Sequence, residues 1–182
     1  MKHFILAFSF FVSIAVAAQV RTTPDSIAVK SISGIVNKML DILSGEKGKI
    51  RDWNALSNLF LSTATFTCLN HPNDSMPKAV ETVSLTEFIQ LLHDEYYENG
   101  YLEYETGSVI NQYNGIATVF QSFYGKDSED KEERGINTYQ LVFFDSRWWI
   151  ASVLWTTASN GVAIPKKYLK KYVFGRTDTK KP

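Results

Sequence analysis

Cysteine is nearly absent from this chain: Cys68 stands alone among 182 residues. A lone cysteine makes no internal disulfide, so stability has to come from a packed core. Cys68 alternates with Ala64 and Phe66 on an apolar strand face and reads as a structural thiol. The nearest histidine, His71, lies beyond the strand end, which argues against a Cys-His nucleophile. Histidine is scarce too. His3, His71 and His93 are too few and too scattered to compose a zinc site, and the chain has no CxxC, no HExxH, no Gly-rich phosphate loop and no internal repeat. No metal and no cofactor is expected. Neither sign of charge dominates: 19 basic side chains balance 19 acidic ones. That removes the electrostatic footprint of a nucleic-acid partner.

The long apolar run is N-terminal, Phe4 to Val16, preceded by Lys2 and His3. It falls short of the roughly 20 residues that span a bilayer. Ala15-Val16-Ala17 or Val16-Ala17-Ala18 offers a small-residue cleavage site. Residues 1–18 therefore read as a secretory signal, which predicts a periplasmic or extracellular protein with no membrane span once the signal is removed.

Aromatic residues are plentiful, at 14% of the chain. Many lie in Arg134 to Thr157, RGINTYQLVFFDSRWWIASVLWTT, where two β-branched and aromatic runs flank Asp145-Ser146. This is a β-hairpin signal. A two-residue loop pairs Phe143 with Trp148, Leu141 with Ile150, Tyr139 with Ser152 and Asn137 with Leu154 on one face. The other face then carries Val142 with Trp149, Gln140 with Ala151, Thr138 with Val153 and Ile136 with Trp155. Both faces are largely apolar, as in a sheet covered on both sides.

Upstream, Thr23-Pro24-Asp25 reads as a helix start, and Ile32, Ile35, Val36, Met39, Leu40 and Leu43 fall on one helical stripe that ends at Ser44-Gly45. A short helix is expected from Asp52, a strand over 62–69 and a loop at His71–Pro77. Ser84-Leu85-Thr86-Glu87 is a capping box that opens a helix closed by Asn99-Gly100. His93 sits at the edge of that helix's stripe, where it is either a boundary residue or a group reaching into a cavity. Tyr101 to Tyr113 is a strand, Asn114-Gly115 a type I′ turn, and Ile116 to Tyr124 the return strand. Gly107 suggests a bulge. Glu103 and Glu105 share a strand face with Tyr101 and read as a surface pair opposite Lys or Arg, or as acid–base groups. GKDSEDKEE, 125–133, reads as a solvated charged loop, and 161–182 as a basic polar tail.

In this order the chain resembles the NTF2-like superfamily, the cystatin-like α+β cone that includes SnoaL-type proteins. The residues that carry the resemblance are Trp53-Asn-Ala-Leu-Ser-Asn-Leu-Phe60, Phe88 to Gly100 with Tyr101-Leu-Glu-Tyr-Glu105, Gly115-Ile-Ala-Thr-Val-Phe120, Arg134-Gly-Ile-Asn137, and Arg147-Trp-Trp-Ile-Ala-Ser152 through Trp155. The resemblance implies a curved antiparallel sheet wrapped on N-terminal helices, with a domain over 19–160. The superfamily holds isomerases, dehydratases, cyclases and domains that only bind or dimerise.

Three functional expectations follow. The first is a pocket for a small apolar ligand, walled by Phe143, Trp148, Ile150 and Tyr139, with Asn137 and Ser152 supplying polarity and Tyr96 and His93 closing it; no catalytic constellation is identified. The second is an isomerase- or dehydratase-type enzyme using His93 or Glu103 as general base, with Tyr96 or Tyr139 as hydrogen-bond donor. The third is an isologous homodimer through Gln140, Trp149, Val153 and Trp155.

Overall fold

The computed structural model describes residues 26–71 and 79–174. The signal reading at 1–18, the helix start at Thr23, most of the His71–Pro77 loop and the last eight residues of the tail lie outside them.

The first described helix, α1 (Ile32–Leu43), is capped by Ser31, whose hydroxyl accepts the Gly34 amide at 3.0 Å. Its predicted stripe is buried throughout. A short helix, α2 (Trp53–Ser57), is capped by Asp52. The strand that follows, β1 (Phe60–Asn70), is joined by one the sequence reading did not foresee, β2 (Ala79–Ser84). The helix α3 (Leu85–Asn99) opens on the predicted capping box, with both reciprocal bonds of Ser84 and Glu87 formed.

Four long strands complete the sheet: β3 (Tyr101–Tyr113), β4 (Ile116–Asp127), β5 (Glu132–Phe144) and β6 (Arg147–Thr157). A fifth, β7 (Lys171–Phe174), is short. The order across the sheet is β2-β1-β6-β5-β4-β3-β7, antiparallel except where β1 meets β6 and β3 meets β7. The inner face packs on α1, α2 and α3. Its core includes Ile35, Leu56, Phe66, Val119, Tyr139 and Ile150, each 1% exposed or less. Aromatic stacking of Phe66 on Phe88, 4.0 Å between centroids, fastens α3 to the sheet.

Three expectations are corrected. The charged loop shrinks to Ser128–Lys131, because β4 and β5 stay paired out to Lys126 and Glu132. Cross-strand pairing satisfies those backbone groups better than water does once the ladder is running. The basic tail is not simply solvated. It crosses the outer face, stacks Tyr168 on Phe120 and seats β7 beside β3, where the Ser122 hydroxyl donates to the Tyr168 carbonyl at 2.6 Å. Gly107 lies at the predicted bulge, and a Cβ there would collide with the Tyr168 carbonyl, so the strap needs a glycine beneath it.

The third correction concerns register. Phe143 pairs with Trp148 and Leu141 with Ile150 as expected, but Gln140 then pairs with Ser152, leaving Ala151 unmatched. A β-bulge at one residue moves everything beyond it to the opposite face. Ser152 therefore joins Gln140 on the outer face. Val153 opposes Tyr139 and is 3% exposed, and Trp155 opposes Asn137 and packs against the core.

Candidate functional site

Polar side chains gather on the inner face of the sheet, away from the hairpin tips. The pairings place Ser108, Gln121, Asn137 and Trp155 in one row across β3, β4, β5 and β6, with Glu105 and then Glu103 in the rows beyond. The hydrogen bonds link them in order. The Tyr139 hydroxyl, fully buried, donates to Gln121 Oε1 at 2.9 Å. Because that oxygen is occupied, the Gln121 amide turns its Nε2 to Glu105 Oε2 at 3.0 Å. Asn137 Nδ2 donates to Glu103 Oε1 at 2.7 Å and more weakly to Gln121 Oε1 at 3.4 Å. Glu105 also takes the Ser108 hydroxyl and an ion pair from Lys171 of β7, at 3.1 and 2.9 Å. The result is two amide–carboxyl pairs, with both carboxyls on β3 and the amides on β4 and β5, anchored by one buried phenol.

Glu103 is the less compensated of the two carboxyls. Burial pushes it up to about 7, opposed by the Asn137 amide, reinforced by the charge of Glu133 and opposed again by Tyr101. The Tyr101 hydroxyl donates to Glu133 Oε1 at 2.6 Å, and its ring stacks on Tyr96 at 5.0 Å. Burial holds both phenols well above their usual range, so they act as donors rather than bases. Gly125 lies between Glu103 and Glu133 in the sheet, and a Cβ there would collide with the Tyr101 hydroxyl.

Similar architecture recurs among solved structures. A protein of unknown function with a cystatin-like fold from Nostoc punctiforme matches with TM-score 0.50 at 11% identity, over 68% of this chain and 85% of its own. An NTF2-like protein with a cystatin-like fold from Novosphingobium aromaticivorans matches with TM-score 0.52 at 12% identity, over 75% and 84%. The chain has the NTF2-like, cystatin-like fold. From the same organism, the β subunit provisionally described as part of an aromatic-ring-hydroxylating dioxygenase matches this cone with TM-score 0.54 at 12% identity, over 79% and 95%. No family model and no curated protein sequence matches.

Within the NTF2-like cone, the predicted site residues do not stay together. Asn137, half-buried Tyr96 and Glu103 come together at the polar end of the cone. Tyr139 is filled-in core, not pocket wall. Phe143 and Trp148 meet edge-to-face at 5.4 Å at the hairpin tip, where Phe143 is largely exposed, so they wall nothing with Asn137. His93 is exposed, bonded to its neighbour Asp94 at 2.7 Å and edged by Trp53 at 5.9 Å; it does not reach the polar end. Ser152 is lost to the outer face by the bulge. Of the interface candidates, Gln140 and Trp149 lie on the outer face, whereas Val153 and Trp155 point inward.

The sequence reading missed Gln121; of its two readings of Glu103 and Glu105, the lysine partner is found for Glu105 in Lys171, but both carboxyls face inward and neither is a surface group. Gln121 had a signal: Ala117, Val119, Gln121 and Phe123 form one alternation, in which a glutamine interrupts an apolar face. Cys68 is half-buried, its Sγ donates to Asn70 Oδ1 at 3.1 Å, and burial, with Glu81 and Glu133 nearby, pushes it up to about 11. It stays a thiol at neutral pH, which disfavours nucleophilic use. Among the described residues no group of three or more His, Cys, Asp or Glu is placed to hold a metal ion, and no helix is long and apolar enough to cross a membrane.

The raised Glu103 carboxyl makes a pH prediction. An unfolded glutamate titrates near 4.3. Between that value and about 7 the folded state holds the extra proton, so the stability contributed by this group is present at low pH and lost as pH rises through 7. Glu103→Gln should flatten that loss, making the variant more stable than wild type by about 2 kcal/mol at pH 8 and nearly equal to it at pH 4.5. Urea melts of both proteins at the two pH values measure the difference; equal slopes would place Glu103 in water.

Proposed function

We propose that the protein is an exported NTF2-like binding domain that takes a small, largely apolar molecule at the polar end of its cone. Glu103 and Asn137 anchor one polar group of that molecule, and Tyr96, Tyr101 and Trp155 supply apolar surface around it. The observation that carries this reading is the Glu103–Asn137 pair: an inward-facing carboxyl with one oxygen fixed by an oriented amide, set among half-buried aromatic rings. A mostly apolar surface with a few placed polar groups is the composition of small-ligand sites. Export rests on residues 1–18, and the recognition chemistry involves no bond making.

Residues 19–182, crystallised without added ligand, are expected to show a bound molecule or an open space against Glu103 and Asn137. Asn137→Ala is expected to weaken binding of that molecule about tenfold, the loss of one hydrogen bond to a charged or polarised partner. A cone end closed by side chains would reject the reading. A second reading has one observation in its favour, the near-neutral ionisation of Glu103, which suits a general base of the isomerase or dehydratase kind. In that case Glu103→Gln would abolish turnover while leaving ligand affinity within about threefold of wild type.

A further inference from the structure

The two hairpin turns of the long strands, Asn114-Gly115 and Asp145-Ser146, sit side by side at the end of the sheet opposite the polar site. The Phe143 amide donates to the Gly115 carbonyl at 2.7 Å and ties one tip to the other. All four turn residues have positive φ, between 43° and 82°, as type I′ geometry requires. They are nevertheless crowned by large apolar side chains in water: Tyr113 is 76% exposed, Ile116 61%, Phe143 45% and Phe144 67%.

We propose that this crown is a membrane-docking tip that seats in the headgroup region of an anionic phospholipid bilayer. The shape of the patch chooses the occupant. Phe143 pairs with Trp148 on the inner face of the sheet, whereas Tyr113, Ile116 and Phe144 project from the outer face. The apolar groups thus surround the end of the sheet and do not lie in one plane. A second copy laid on the outer face would leave Phe143 in water; a bilayer interface accepts apolar groups from both sides of an inserted wedge. Charge agrees. Lys30 reaches over to donate to the Ser146 carbonyl at 2.8 Å, and Arg147 stacks over Trp149 at 3.8 Å while bonding the Asn58 carbonyl. Among the described residues Lys30 and Arg147 stand beside the crown, and the two turns themselves carry one acid, Asp145. Aromatic and aliphatic groups below a basic collar are the arrangement that binds an interface without spanning it. The tips lie at the other end of the sheet from Glu103 and Asn137, so this surface and the ligand site stand or fall separately.

The test is sedimentation of the processed chain, residues 19–182, with vesicles of phosphatidylcholine alone or with one quarter phosphatidylglycerol, with tryptophan emission followed in parallel. The anionic vesicles are expected to carry the protein down and to shift the emission of Trp148 and Trp149 to the blue. The double variant Ile116→Ser, Phe144→Ser, altered only at exposed positions, should lower the partition coefficient about tenfold with an unchanged circular dichroism melt. Lys30→Gln should lower it about two- to threefold and weaken its salt dependence. Absence of sedimentation with either vesicle overturns the proposal. So does a double variant that partitions like wild type. A dimer seen by light scattering that the double variant splits, without vesicle binding, would give the crown to a second copy instead.

Discussion

Replacing Arg51 by alanine is expected to cost about 3–5 kcal/mol of folding stability, the combined loss of several charge-assisted hydrogen bonds at about 1.5–3 kcal/mol each and of a buried side chain. Arg51 is 4% exposed and bonds four backbone carbonyls: Leu43 from Nε at 2.7 Å, Gly45 from Nη2 at 2.9 Å, and Lys49 and Tyr96 from Nη1 at 3.0 and 2.6 Å. Leu43 is the last residue of α1 and Tyr96 lies in the last turn of α3. Carbonyls at helix C-termini have no intrahelical donor and carry the negative end of the helix dipole. One guanidinium therefore satisfies the ends of two helices and the loop between α1 and α2, and lies over the Tyr96 ring at 5.2 Å. Removing it takes the side-chain donor from the Leu43 and Lys49 carbonyls, at about 1–3 kcal/mol for each acceptor left dry, while Gly45 keeps the Tyr101 amide and Tyr96 the Gly100 amide. Arg51→Lys keeps the charge but loses the fork, and is expected to recover less than half of the loss. Thermal and urea unfolding of the three proteins read this directly; an alanine variant within about 1 kcal/mol of wild type would mean that water replaces the guanidinium without penalty.

Phe66→Ala is expected to cost about 3–5 kcal/mol as well, by a different mechanism. Phe66 is 1% exposed, stacked at 10° on Phe88 of α3 and tilted 5.0 Å from Phe60. Truncation opens a cavity between the sheet and α3, where the helix's one fully buried residue is Phe88. Leu85, Ile89, Leu92 and Tyr96 of α3 also pack on the core but are only partly buried, so Phe88 is its deepest anchor. Amide exchange should show α3 losing protection more than α1, whose stripe is buried along its whole length. Uniform loss across both helices would show that α3 and α1 unfold as one unit and that the aromatic stack is not the specific fastening.

Local chemistry made much of this protein legible in its residues. Ser84 to Glu87 announced α3, Asn114-Gly115 and Asp145-Ser146 announced two hairpins, and the α1 stripe announced a buried face. Each signal depends on a few adjacent residues and on nothing distant, and the succession of elements pointed to the cystatin-like cone that the structure shows. The pairing of Phe143 with Trp148 and of Leu141 with Ile150 was legible too, because a two-residue turn sets register for the next few rungs.

What only the assembled sheet decided begins at Ala151. A single unmatched residue reversed the faces of Ser152, Val153 and Trp155, and nothing in the hairpin's own alternation marks it. It coincides with the irregular pairing of β1 against β6 between Phe60 and Thr65, strands that lie about half the chain apart. The inward turn of Glu103, the alignment of Gln121 with Asn137, the use of Arg51 by two helices and the seat of the Tyr168–Lys170 segment on Gly107 are likewise contacts between distant segments. A charged or amide side chain reads as surface when taken alone, since burial is costly unless partners are in place. Those partners are supplied by strands and helices far along the chain, so the physical condition that permits each of these residues to be inside exists only after the fold has formed.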